Sequence, residues 1–233
     1  MRMFQVILVA VFIAGYAASD FHDENQQCES SLQTCAFPVA MKFAPHTESE
    51  ESFISYVQSI PVNTVCTVVM EPFMQCVQTA LDTVCAGSNS YIATEASNFL
   101  GVISYACGPA GRLVLESMKQ SPCLNNAYAF EAAGNLVEMC QSVTYAQVEP
   151  QLEQSNDQET RPDPAIVCPL LAEMRACIVG GLGSICGDAF EEFFSQIWAN
   201  LRLSMTGQYF DCGEGLKRAA IFKKRNLGSI FGL

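Results

Sequence analysis

Twelve cysteines are the residues of this chain whose type and spacing say most about its chemistry. Cysteine thiolates bind zinc, act as nucleophiles or redox groups, or oxidise in pairs to disulfides. Structural zinc sites and thiol redox motifs commonly contain two cysteines separated by two other residues, C-x2-C, and no such pair occurs here. The two histidines, His22 and His46, lie in polar N-terminal stretches. The spacing therefore predicts no metal site and no redox site, and it favours disulfides.

No other group of residues has the pattern of a catalytic or cofactor site. The stretch GGLGSICG lacks the lysine of a phosphate-binding loop, and Cys186 stands where a dinucleotide-binding motif has its last glycine. Nucleophilic hydrolysis needs a base beside the nucleophile, and no G-x-S-x-G motif occurs. Glu191 and Glu192 are adjacent, but neighbouring residues on a helix point in different directions. We therefore predict no enzyme activity, no catalytic residue and no cofactor.

The N-terminus has the pattern of a secretory signal peptide. Arg2 precedes an apolar run at 4–14, and the small residues Ala17 and Ser19 stand where signal peptidase requires them. The run is shorter than the roughly 20 apolar residues of a membrane span, and we find no second run of that length. The sequence predicts cleavage after Ser19, a mature chain that begins near Asp20, and an extracellular location.

The mature chain is strongly acidic. Loss of residues 1–19 leaves 24 acidic and 11 basic residues, a formal charge of −13. A polyanion does not seek nucleic acid or an anionic membrane, so we exclude both as partners of the main body.

The cysteines divide into two sets of six with similar spacing. The numbers of residues between successive cysteines are 6, 30, 9, 8 and 21 in the first set and 16, 27, 8, 8 and 25 in the second. The stretch VCTVVMEPFMQC also aligns with VCPLLAEMRAC after one gap, bringing Glu71 onto Glu173. We infer an internal duplication of about 80–90 residues. Disulfides are expected within each set, without a choice among the 15 pairings that six cysteines allow. The cysteines predicted to form them are Cys28, Cys35, Cys66, Cys76, Cys85, Cys107, Cys123, Cys140, Cys168, Cys177, Cys186 and Cys212.

Apolar residues three and four positions apart predict helices throughout, and we find no alternating strand pattern. The predicted fold class is all-α, in the form of two tandem disulfide-stapled helical modules. Nine residues of helix advance two and a half turns and about 13.5 Å, so Cys168 and Cys177 cannot bond each other. Each of them must therefore reach a different neighbouring element.

Local signals predict where several helices begin and end. Thr47 with Glu50, and Asp188 with Glu191, have the spacing of a capping box at a helix N-terminus. A helix is expected to break before Cys186, because three glycines precede it: Gly180, Gly181 and Gly183.

The predicted organisation has five parts. They are a signal peptide at 1–19, a first six-cysteine helical module at 20–107, a linker at 108–122, a second module at 123–212 and a basic C-terminal tail at 213–233. The tail holds five of the 11 basic residues of the mature chain. Three interpretations of it stay open: an exposed tail, a cleavage site after Arg225, and an amphipathic segment at 216–231 that contacts a membrane or the acidic body weakly.

The repeated cysteine pattern, C-x(6–16)-C-x(27–30)-C-x(8–9)-C-x8-C-x(21–25)-C-G, resembles the secreted cysteine-rich helical modules of invertebrates such as nematodes and molluscs. Those families mostly have no assigned function. The resemblance covers residues 28–212 and implies an extracellular, disulfide-bonded, non-enzymatic protein.

Two sets of observations bear on function. Four aromatic residues crowd one predicted helix, where they serve either an ordinary core or a cavity for an apolar ligand: Phe190, Phe193, Phe194 and Trp198. We predict a secreted binding protein whose partner is an extracellular protein or a small apolar ligand. The alternatives are a structural component of an extracellular matrix, with or without mineral, and a venom or defence factor that acts on a membrane receptor.

Overall fold

The computed structural model describes residues 23–46, 49–86, 91–154, 164–206 and 212. The predicted signal peptide and the predicted basic tail lie outside these residues. The described residues are helical with no strand, which confirms the predicted all-α, disulfide-stapled fold. The helices are α1 (Asp23–Phe43), α2 (Glu50–Ser59), α3 (Val62–Thr64), α4 (Glu71–Thr83), α5 (Tyr91–Cys107), α6 (Pro109–Met118), α7 (Ala127–Gln154), α8 (Pro164–Cys186) and α9 (Asp188–Thr206).

A π-helical segment, Val65–Met70, joins α3 to α4. Its geometry is set by the Glu71 N–H, which donates to Cys66 O, five residues back instead of four. The chain has nine residues between Cys66 and Cys76 but eight between Cys168 and Cys177, so the wider turn accommodates the extra residue. Pro72 follows in the first turn of α4, where a missing N–H costs no helical hydrogen bond.

The predicted break within the glycines before Cys186 is wrong, because α8 runs unbroken from Pro164 to Cys186. The glycines there allow neighbouring helices to approach closely. A Cβ on Gly181 would lie 2.4 Å from Leu136 Cδ2 in α7, and one on Gly183 would lie 2.5 Å from Glu191 Oε2 in α9. The break comes one residue after Cys186, at Gly187, whose φ of 92° suits glycine alone.

Two helix starts also differ from the predicted capping boxes. α2 begins after Ser49, whose side chain accepts a hydrogen bond from the Ser52 N–H at 3.1 Å, and Thr47 lies outside the described residues. Asp188 is already the first residue of α9, so it does not occupy the cap position. The left-handed turn at Gly187 precedes it directly and reverses the chain between α8 and α9.

The buried side chains form two hydrophobic cores. The smaller core contains residues of α1, α4 and α5. The larger core contains residues of α2, α5, α6, α7, α8 and α9. α5 contributes to both cores, since Phe99 and Ile103 face the first and Val102 faces the second. The two sets of cysteines therefore do not enclose two independent hydrophobic cores.

The segment at 108–122, predicted as a linker, contains α6. A short 3-10 helix, Pro122–Leu124, begins at the end of this segment. Val114 and Met118 of α6 are buried in the larger core, where α6 packs against α9. The segment thus has a structural role in holding the two halves of the chain together.

Candidate functional site: the disulfide framework and the outer face of α7

All twelve cysteines form disulfides, and each bond joins two members of the same set of six. The bonds of the first set are Cys28–Cys85, Cys35–Cys76 and Cys66–Cys107. Those of the second are Cys123–Cys186, Cys140–Cys177 and Cys168–Cys212. In both sets the first cysteine pairs with the fifth, the second with the fourth and the third with the sixth. Six disulfides are typical of a protein that folds in an oxidising, secretory or extracellular, environment.

The nine-residue spacing of cysteines in α8 has the structural consequence that helix geometry predicts. Cys168 bonds Cys212, Cys177 bonds Cys140 in α7, and Cys186 bonds Cys123 before α7. No two cysteines of α8 bond each other. α8 is therefore attached covalently at three levels along its length, each time to a different segment.

A polar cluster surrounds the Cys66–Cys107 disulfide in the first half. Arg112 Nε donates to Cys107 O at 2.5 Å, at the carboxyl end of α5, and its Nη1 donates to Asn63 Oδ1. Arg112 Nη2 also lies 3.6 Å from Glu71 Oε1. One guanidinium thus joins the end of α5 to α3 and α4, and an arginine at this position also satisfies a carbonyl that the helix leaves open. The role of this cluster is structural.

Residues of the first half contact the part of the chain that follows α6. Gln58 Nε2 in α2 donates to Leu124 O, and Lys119 Nζ donates to Ile60 O at 2.8 Å. The rings of Phe53 in α2 and Phe130 in α7 lie 6.2 Å apart. Residues from both halves therefore hold the start of α7 in place.

The four aromatic residues predicted for either a core or a cavity are buried in the larger core. Phe193 packs edge-on against Phe194 with ring centroids 5.6 Å apart, and Phe190 stacks on Phe194 at 6.3 Å. Trp198 is buried as well, although its Nε1 has no hydrogen-bond partner among the described residues. These contacts give the four rings the role of core residues.

Tyr105 of α5 lies beside this aromatic group, 6.0 Å from Phe193 between ring centroids. Burial raises the pKa of its hydroxyl, and the negative charge of Glu192 raises it further. This phenol therefore loses its proton at a higher pH than an unperturbed tyrosine does.

α7 carries three exposed large apolar side chains along one side. Tyr128 is 83% exposed, Met139 44% and Val143 55%. Their spacing places them, with the exposed Ala132, in one stripe along the helix. Glu131 and Glu138 are exposed along one border of that stripe. We call these six residues the outer face of α7. It combines apolar contact area with negative charge, and the exposed amide of Asn135 lies between Ala132 and Met139.

We find no metal site among the acidic, histidine and cysteine side chains in the part of the chain that the structure describes. No group of three or more His, Cys, Asp or Glu side chains there could hold a metal ion.

By length and composition alone, α8 could cross a membrane. The prediction that no apolar segment of that length follows the signal peptide is therefore wrong. Its most apolar window has a mean hydropathy of 1.7. The helix nevertheless packs between α7 and α9, with nine buried residues and three disulfides. A core helix of a soluble protein meets the same criteria, and the structure places α8 in the larger core.

No family model matches this chain, and no curated protein or solved structure is similar to it. The resemblance to invertebrate cysteine-rich modules consequently stays a prediction from cysteine spacing.

Proposed function

We propose that this protein is secreted, has no enzymatic activity and binds an extracellular protein through the outer face of α7. The observation that carries the proposal is the combination of a covalently braced helix with an exposed apolar stripe bordered by acids. Met139 and Val143 lie close to Cys140, which anchors α7 to α8. A rigid helix loses little conformational entropy on binding, and this favours recognition.

The chemistry of the face indicates the chemistry of the partner. Exposed apolar side chains lose their contact with water when a complementary apolar surface covers them. Glu131 and Glu138 favour positive charge at the border of that surface. We therefore expect a basic protein segment with an apolar side, such as an amphipathic helix. The burial of the aromatic residues of α9 in the core supports a protein partner over an enclosed apolar ligand.

Secretion is the first part of the proposal to test. The full chain is expressed with its own N-terminus in cultured eukaryotic cells, and the medium is analysed by N-terminal sequencing. We expect soluble protein that begins at Asp20. Retention in the membrane fraction after alkaline carbonate washing would contradict the proposal and would favour α8 as a membrane span.

Binding is tested with two double variants that remove equal numbers of exposed apolar side chains. Met139→Ser with Val143→Ser changes the outer face of α7, and Phe37→Ser with Met41→Ser changes exposed residues of α1 as a control. The purified proteins are immobilised and exposed to extracellular fluid from the source tissue. We expect at least a tenfold loss of a saturable bound protein for the α7 variant only. Equal binding by both variants would exclude the outer face of α7 as the binding site.

A further inference from the structure

We infer that the chain's own basic segment at 216–231 docks on the outer face of α7 and competes there with the partner. The docking itself requires no partner, whereas its regulatory role rests on the proposed function.

The Cys168–Cys212 disulfide fixes the point from which this segment starts. α7 and α8 are antiparallel, because Cys177 of α8 bonds Cys140 while Gly181 lies against Leu136. Cys168 precedes Cys177 by nine residues, or about 13.5 Å of helix, so it lies beside the C-terminal part of α7. The segment therefore starts beyond Val143 along the axis of α7, on the side of α7 that packs against α8.

The length of the segment matches the length of the face. From Tyr128 to Val143 the outer face extends about 22 Å along α7, at about 1.5 Å per residue. Residues 216–231 would extend about 24 Å as a helix. Cys168 is level with about residue 149 of α7, so residues 213–215 would have to cover roughly 9 Å before Val143 is reached, which three extended residues can do. A helix over 216–231 that then runs back along α7 would reach the whole stripe.

Composition and charge are complementary as well. Residues 213–233 carry five basic residues and one acid, whereas residues 20–212 carry 23 acids and six bases. The basic residues would face Glu131 and Glu138 at the border of the stripe. The apolar residues on the side of the segment that faces α7 would cover Tyr128, Met139 and Val143. The segment has eight apolar residues: Leu216, Ala219, Ala220, Ile221, Phe222, Leu227, Ile230 and Phe231.

The test is zero-length carbodiimide cross-linking of the full mature chain, followed by peptide mass spectrometry. The reagent joins lysine to a carboxylate in contact, and Lys119 with Glu116, 3.9 Å apart, provides an internal positive control. We expect cross-links from Lys217, Lys223 or Lys224 to Glu131 or Glu138. A mixture of chains with natural and heavy nitrogen shows whether each link joins residues of one molecule.

The same two double variants make the test specific. The α7 variant should lower the yield of these links at least fivefold, and the α1 variant should leave it unchanged. Links that join two molecules, or that spread over acids of α1, α4 and α9 in all variants, would overturn the inference. So would links from the tail that appear only when anionic phospholipid vesicles are present.

A chain that ends at Gly215 separates this inference from the proposed function. If the tail competes for the face, removing it should raise partner binding at least threefold. Loss of binding in the α7 variant without tail cross-links would refute only the docking. If tail cross-links form but both double variants bind the partner equally well, only the proposed binding site would be refuted.

Discussion

Gly111 lies in the first turn of α6, where this helix passes closest to the end of α5. A Cβ at this position would lie 2.1 Å from Tyr105 O and 2.8 Å from Ala106 Cα. Both are backbone atoms, so no rotation of a side chain can relieve the overlap. Gly111→Ala therefore tests whether the close packing of α6 on α5 holds the two halves together.

Two effects of opposite sign determine the size of the change. Alanine is favoured over glycine in a helix by about 1 kcal/mol, which would stabilise α6. An ordinary contact begins near 3.4 Å, so α6 must move away by more than about 1 Å. That movement disturbs the hydrogen bond from Arg112 Nε to Cys107 O and the packing of Val114 and Met118. Overpacking typically costs about 1–3 kcal/mol, and an overlap with backbone atoms belongs at the upper end of that range, which leaves a net loss of about 2 kcal/mol.

Thermal unfolding in moderate guanidinium, followed by circular dichroism, measures the effect with all disulfides intact. A net loss of about 2 kcal/mol corresponds to a Tm about 4–8 °C lower. Ser117→Ala, at an exposed position of the same helix, is the matched control and should change the Tm by less than about 2 °C. A Tm of Gly111→Ala equal to or above that of the unchanged protein would refute the packing argument.

Three further measurements test other features. Replacing Cys140 and Cys177 by alanine removes a bond that spans 37 residues, and should lower the free energy of unfolding by about 4 kcal/mol in guanidinium titration; a loss below about 1 kcal/mol would contradict this. Trp198→Phe removes a buried donor that has no partner, so it should lower the free energy of unfolding by less than about 1.5 kcal/mol. Trp198→Ala should lower it by about 3–5 kcal/mol, and equal losses would contradict the role of Trp198 as a core residue. Glu192→Gln should bring the pKa of Tyr105 part of the way back towards 10.0, as measured by tyrosinate absorbance, because burial continues to raise it. Since the unfolded chain releases this proton first, Tyr105 should make the protein less stable as pH rises above 10.0, and a pKa below 10.0 would contradict the burial argument.

Helical periodicity and cysteine spacing predicted the fold class because both depend on local geometry. In α4 the apolar residues Phe73, Val77 and Ala80 repeat at helical intervals, and all three are buried. The nine-residue spacing excluded a bond between Cys168 and Cys177 before any neighbouring element was known. The pairing itself could not be predicted, because it depends on which helices are neighbours in space.

Other features depended on tertiary contacts that a sequence does not show. Helix propensity alone predicts that the glycines of α8 break the helix. The helix is continuous, and Gly181 and Gly183 are needed there because Leu136 and Glu191 pack too close to them for a larger side chain. The segment at 108–122 has few residues and no cysteine, yet α6 is part of the larger core. The outer face of α7 also went unrecognised, since a short apolar stripe bordered by acids resembles an ordinary solvated helix.

The crossed order of the disulfides has a mechanical consequence. When tension is applied to the two ends of the described chain, the shortest covalent path through each half runs across sulphur atoms and bypasses most of the backbone. Unravelling of helices inside a half can therefore lengthen the molecule only slightly. The stretch between Cys107 and Cys123, which includes α6, is crossed by no bridge and would be the part that yields first.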